Sequence, residues 1–369
     1  MAFPEARRKL LKSVTLAPAL GFVPVAVHFQ LFDCLQAIGG PATAQDVYEV
    51  HRQKNDIETK LSVALASDTL FSMGALGLLD ILPGDVYQAN DVTKFLVEQP
   101  SSQHGALHFT TEVLLGSAFL MRRLVDTDFE YPFQECKTPF QYAYECMGSD
   151  IAREHAYSIM AFTGRLESFN SFMTGKFGRG EPMPSRVQKL GYDLAGLLTQ
   201  KDHDIQPPVI VDIGGGRGEL LLELKDAFPH LGRENLVLQE YNPAIGEVPG
   251  VTEMLWDYKG TGPQHEQPVK GALVYSLAFV LHNLSNIETV RLLRKIAVAM
   301  NSRSRILIQE LTKNAISATT HAAMIIMYGG RERTSAEWRE LAAEAGLMVT
   351  FEVFPPVGEC LVEMRKLSN

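Results

Sequence analysis

The chain has 369 residues, 46% hydrophobic and 21% charged. These are ordinary globular proportions, with length enough for two or three packing units. Its formal net charge of −9 argues against a nucleic-acid or anionic-membrane partner, since both need a basic surface. No apolar run reaches the roughly 18 residues of a membrane span. Past Arg7, Arg8 and Lys9 the apolar stretch is broken by Ser13, Pro18 and Pro24, so no secretory signal is expected. Cys34, Cys136, Cys146 and Cys360 are scattered, with no C-x-x-C pair. They read as reduced thiols of a cytoplasmic protein, with no metal site and no disulfides.

In chain order, residues 1 to about 40 read as helical and unusually apolar, with Leu10, Leu11 and Val14 and later Phe29, Leu31, Phe32 and Leu35. Such a face needs a covering surface, from the chain itself or from a second copy. Gly39-Gly40-Pro41 ends it. Thr43-Ala44-Gln45-Asp46 has the spacing of a capping box for a short helix to about Val50. A longer helix is expected from about Ile57 to Met73. Leu78–Leu82 and Val86–Ala89, split by Pro83-Gly84-Asp85, predict a β-hairpin. Helices followed by a hairpin give a winged-helix order. Residues 1–100 hold eight basic against eleven acidic side chains, the wrong sign for phosphate neutralisation. Dimerisation is therefore the expected role.

Residues 101–200 read as mostly helical and rich in aromatic residues and methionine, Phe169 and Met173 among them. Such side chains are usually core, and they could also line an apolar substrate pocket. Lys176 to Pro184 reads as a loop and Asp202 to Pro208 as a linker. From about 205, strands alternate with helices, which implies a parallel sheet. Strands are expected at about 208–213, 235–240, 251–255, 271–277, 305–311, 347–354 and 358–364, the last two antiparallel.

The first of these strands runs into Asp212-Ile213-Gly214-Gly215-Gly216-Arg217-Gly218 and then an amphipathic helix. Glycines at 214, 216 and 218 permit positive φ and close approach of a ligand, and the helix presents free N–H groups to it. No register supplies the G-x-G-x-x-G of a dinucleotide site. Asp212 at the strand end suits an ammonium. Glu240, 22 residues past Gly218, suits ribose hydroxyls. S-adenosylmethionine carries both groups.

The strand near 271–277 leads into Phe279-Val280-Leu281-His282-Asn283-Leu284-Ser285-Asn286. Carboxyl ends of parallel strands face the ligand crevice, which places His282 near the ligand. Spacing equally allows a packed histidine ahead of a Ser285–Glu288 capping box. Glu310 and Glu332 are the carboxylates that could fix one tautomer of a basic histidine.

Taken in order, VDIGGGRG, LVLQEYNP, LWDY, FVLHNLSN, ILIQEL, MYGGRERTSAEW and AAEAG resemble the small-molecule O-methyltransferases of plant and fungal secondary metabolism. That family includes caffeate and acetylserotonin methyltransferases and some methyltransferase-like pericyclases. Its dimerisation domain is resembled by the stretch from Phe32, by Met73–Leu79 and by Phe169–Met173. The resemblance implies an α/β fold: a class I methyltransferase, Rossmann-like doubly wound sheet behind an N-terminal, mostly α-helical, winged-helix-like dimerisation domain. The implied division is 1–105 for dimerisation, 106–200 as helical connection and pocket, and 201–369 for the cofactor. It also implies that Gly214, Gly216, Glu240, Asp257 and Tyr258 cradle S-adenosylmethionine. His282 matches the family's general base, Glu310 and Glu332 its supporting carboxylates, and Met324 a methionine that packs on substrate.

The chain departs from the family's usual His-Asp-Trp-Ser-Asp by reading His282-Asn283-Leu284-Ser285-Asn286. Ala278 and Phe279 replace a basic residue or pair, and His321 replaces an aspartate. The expected function is methyl transfer to a hydroxyl of an apolar or aromatic secondary metabolite, with His282 as base. The alternative is a pericyclase or dehydratase that uses the bound sulfonium charge without methyl transfer. A non-catalytic, cofactor-sensing dimer is the third reading.

Overall fold

The structure is a computed structural model that describes residues 4–54, 60–177, 181–199, 208–241 and 246–367. The chain divides into two compact units, Met1–Phe119 with Tyr157–Gly178, and Leu120–Ala156 with Arg179–Asn369. No helix among the described residues is long and apolar enough to cross a membrane.

In the first unit, helices Leu31–Ile38, Ala44–Lys54 and Val63–Ala75 precede a hairpin. The Thr43 hydroxyl accepts from Asp46 N at 3.2 Å and the Asp46 carboxylate accepts from Thr43 N at 2.8 Å, so the box read from sequence forms. The third helix starts later than expected, where Ser62 Oγ accepts from Leu65 N at 3.1 Å; residues 55–59, inside the expected span, lie outside the described residues. Strands β1 (Ala42–Thr43), β2 (Asp80–Leu82) and β3 (Val86–Gln88) form an antiparallel sheet ordered β1-β3-β2. Phe32, Leu35, Leu70, Met73 and Tyr87 are its buried core. Helix Pro4–Val14 buries no residue, and Leu10 and Val14 are 63% and 61% exposed.

The second unit carries a seven-stranded sheet of β4 (Ile210–Ile213), β5 (Leu236–Glu240), β6 (Thr252–Leu255), β7 (Val274–Ala278), β8 (Arg305–Leu311), β9 (Leu347–Val353) and β10 (Glu359–Lys366). Their order is β6-β5-β4-β7-β8-β10-β9. β4 to β8 run parallel, and β10 inserts antiparallel between β8 and β9. Strands buried on both faces explain the near-continuous apolar runs. Ile210, Leu238, Val274, Leu307 and Leu361 pack with Leu221 and Leu224 in one layer. Val211, Val237, Tyr275, Ile306 and Val362 pack with Leu293, Ile296 and Trp338 in the other. This is the doubly wound α/β fold that the sequence implied. The order in which successive strands are added to the sheet reverses between the parallel neighbours β4 and β7, the switch point where such sheets bind ligands. Leu293, fully buried between sheet and helix, should cost about 2–5 kcal/mol when replaced by alanine, read as a lower urea midpoint with an unchanged slope.

Candidate active site

At the switch point Asp212 is the penultimate residue of β4, and the glycine turn follows Ile213. Gly214, Gly216 and Gly218 have φ of +68°, +60° and +80°, conformations that side chains disfavour. A Cβ on Gly214 would also lie 2.9 Å from Val280. The Asp212 side chain lies beneath the turn, since a Cβ on Gly215 would fall 2.2 Å from its Oδ2. Its carboxylate is 1% exposed, and neither oxygen has a hydrogen-bond partner of good geometry among the described residues. Burial, then the charges of Glu240 and Glu219, push its pKa up to about 7, while the Ser276 hydroxyl works against the rise. A buried carboxylate with so little donor support is costly, and a cationic ligand group would relieve that cost. Glu240 Oε2 accepts from Gly216 N at 3.0 Å and Oε1 from Tyr241 N at 2.8 Å, which ties the end of β5 to the turn.

Asp257 and Tyr258 follow β6. Asp257 Oδ1 accepts from Lys259 N at 3.1 Å and Gly260 N at 3.0 Å, and Oδ2 is 3.2 Å from His265 Nδ1. Asp257 thus organises its own loop. Lys295 fastens the same loop, donating to Tyr258 O at 2.7 Å and Gly260 O at 2.6 Å. Lys259 Nζ pairs with Glu135 and donates to His155 Nε2 at 2.7 Å. Burial and the Lys259 charge hold His155 down to about 3, so its ring is a neutral acceptor. The sequence reading missed Lys295 and Glu135, because contacts 37 and 124 residues apart leave no local pattern.

His282 sits in a short 3₁₀ turn, Leu281–Asn283, directly after β7. Phe279, which begins this segment, has φ +57°; such strain in a non-glycine residue persists only where the surroundings impose it. His282 is 4% exposed. Its Nδ1 lies 2.9 Å from Glu332 Oε1 and 3.5 Å from Glu310 Oε2. Glu310, near the end of β8, accepts through Oε1 from Leu281 N at 2.9 Å and His282 N at 3.1 Å. Burial first, and then the Glu332 charge, push the Glu310 carboxyl up to about 7, against the pull of His282 and Arg333. Glu332 N donates to His321 Nδ1 at 3.1 Å. The three side chains therefore converge. Their ligand atoms lie within 4.8 Å of one another, close enough to compete for one cation; in the structure Nδ1 is engaged with Glu332. The Ser285–Glu288 box also forms, with Ser285 N donating to Glu288 at 2.8 Å and Glu288 N to Ser285 Oγ at 3.3 Å. Cap and histidine cluster coexist.

The predicted pocket residues fall in different units. Phe169 is 9% exposed on helix Leu166–Phe177 of the first unit, its ring 5.0 Å from that of His108; Met173 is half-buried on the same helix. Met324, in the second unit, is 9% exposed on helix Ala318–Tyr328.

A family model described as an O-methyltransferase domain matches residues 190–348. The chain is 68% identical over 368 residues to O-methyltransferase bfoE of Aspergillus brasiliensis, covering 99% of this chain and 98% of that one. It is 63% identical over 381 residues to O-methyltransferase aunE of Aspergillus niger, covering 99% and 98%. Among solved structures it is similar to LepI in complex with SAM, with a TM-score of 0.75 and 21% identity, covering 100% of this chain and 90% of that one. At that identity the likeness concerns the fold.

Gly330 lies where a Cβ would meet His282 O at 2.0 Å and Asn283 C at 2.7 Å, both backbone atoms. Gly330→Ala should therefore displace the histidine turn and destabilise the second unit by about 1–3 kcal/mol, measured by denaturant unfolding.

Proposed function

The chain belongs to the O-methyltransferase family, and on that premise we propose that it moves a methyl group from S-adenosylmethionine to a hydroxyl of an apolar or aromatic secondary metabolite, with His282 as general base. The observation that carries the reading is the buried 2.9 Å contact between His282 Nδ1 and Glu332. A carboxylate there holds the proton on Nδ1 and leaves the Nε2 lone pair to accept one. Relatives more than 60% identical that bear the O-methyltransferase name support the same reaction.

S-adenosylmethionine, when bound, supplies the electrophilic methyl. Its fit rests on the buried, unsatisfied Asp212 carboxylate and on a glycine turn without side chains. Asp212 would take the ammonium, Gly214 and Gly216 would leave room for the backbone to close on it, and Glu240 would face the ribose. Asp257 and Tyr258 would border the adenine, held by Lys295 rather than by the residues that the family usually has near the histidine. On the acceptor side, His282 removes the hydroxyl proton as the oxygen forms its new bond. Glu332 stabilises the imidazolium so produced, and Glu310 holds the backbone on which the ring is mounted. Met324, in the second unit, is the residue we assign to the acceptor's apolar body.

The partner we propose is a second copy of the chain, joined through the N-terminal unit. Supporting this are the helix Pro4–Val14 with no buried residue and the exposed Phe71 and Phe95 of the same unit. With a net charge of −9, neither nucleic acid nor an anionic membrane suits it as a partner.

A pericyclase or dehydratase reading draws on the losses at Asn283, Leu284 and Asn286 and on an Asp257 already committed to its loop. Product mass after incubation with S-adenosylmethionine and a hydroxylated aromatic panel separates the two. One added methyl with S-adenosylhomocysteine formed supports transfer; an isomer or dehydrated product with intact S-adenosylmethionine overturns it.

His282→Ala should lower methyl transfer about 10²–10⁴-fold while the cofactor dissociation constant, measured by calorimetry, stays unchanged. Asp212 gives a pH dependence. Its folded-state carboxyl titrates near 7, above the ordinary range, so it is mostly protonated below that pH. An ammonium binds the ionised form, so cofactor affinity should rise up to about tenfold per pH unit below 7 and flatten above it. Asp212→Asn should abolish this slope in the same titration.

A further inference from the structure

We infer that Arg333 is a positioning residue for the histidine, a guanidinium that fixes the turn carrying His282 from the side opposite Glu310. The inference rests on the role proposed for His282, and its geometry stands apart from that role. Arg333 is 1% exposed. Among the described residues it has no carboxylate at ion-pair distance, so it is not the usual buried salt bridge. Its donors go instead to the histidine turn and to the first turn of the helix Asn286–Ala299 that follows it, with a longer contact from Nη1 to Arg331 O at 3.4 Å. Nη1 donates to Leu281 O at 2.8 Å, Nη2 to Leu284 O at 2.7 Å and Thr289 Oγ1 at 3.0 Å, and Nε to Asn286 Oδ1 at 3.1 Å. The guanidinium lies 5.2 Å from the centre of the Trp338 ring, which covers it on one face.

The Leu281 carbonyl and the His282 N–H belong to one peptide plane. Arg333 takes its oxygen, and Glu310 Oε1 takes its N–H at 3.1 Å. A cation and a carboxylate thus grip that plane from its two ends, and each polarises the bond the other makes. The ring of His282 leaves the chain at the next atom, so the plane sets where Nδ1 and Nε2 point. Burying an arginine without an ion-pair partner is expensive, and a purely apolar side chain could fill the volume. What an apolar group could not do is satisfy two carbonyls of the turn and two side-chain oxygens of the following helix at once, which suits the planar fork of donors. The same charge favours ionisation of the nearby Glu310.

The test reads the histidine directly and needs no acceptor substrate. In ¹⁵N-histidine-labelled full-length protein, the Nδ1 proton shared with Glu332 should give a low-field resonance, assigned by its loss in His282→Gln. Arg333→Met should remove or severely broaden that resonance in a protein that stays folded. Arg333→Lys, which keeps the charge and loses the fork, should restore it only in part. Thr289→Val and Asn286→Ala each remove one partner while leaving the arginine, and should broaden the signal to a lesser degree. A folded Arg333→Met protein with the resonance sharp and unshifted overturns the inference. Should that variant not fold, unshifted sharp signals in Arg333→Lys, Thr289→Val and Asn286→Ala together overturn it. Full activity of His282→Ala would remove the proposed base but leave this readout of the clamp intact, so the two failures are distinct.

Discussion

The hydrogen bond between the His282 ring and Glu332 is the interaction on which the candidate site depends. It is buried, so its strength is not screened by water. It also fixes the tautomer, which decides whether the other ring nitrogen accepts or donates a proton. Everything around it preserves that geometry. Glu310 holds the preceding peptide N–H groups, Gly330 lets two backbones touch, and a strained Phe279 starts the turn.

The sheet explains why these groups can meet. β4, β5, β7 and β8 are parallel neighbours, so Asp212, Glu240, the segment after Ala278 and Glu310 all emerge at one edge. Parallel strands buried on both faces must have their polar ends there. The antiparallel β10 then pairs with β8, Cys360 opposite Glu310. Burial raises the carboxyls of Asp212 and Glu310 together. The same low-dielectric setting that makes them expensive makes them effective toward a cation or an imidazolium.

The departures from the family pattern find partial structural answers. Asn283 donates to Phe279 O at 3.3 Å, and Leu284 is buried in the core. The short loop after β6 is held by Lys295 and Lys259. His321, in place of an aspartate, accepts from the backbone N–H of Glu332 at 3.1 Å.

Much of this was legible in the amino-acid order. The Thr43–Asp46 and Ser285–Glu288 caps, the β4 glycine turn and the antiparallel final strands are local patterns, fixed by hydrogen-bond reach and by φ preferences within a few residues. The sequence therefore determined the alternation of elements, the fold class and a short list of polar groups at strand ends. It could not decide whether Glu332 was solvated or enclosed, whether His282 was a packed ring or a paired one, or which lysine would hold the Asp257 loop. Those outcomes depend on contacts between residues tens of positions apart, and only the packed sheet, by removing water from between them, turned separate charges into one cluster.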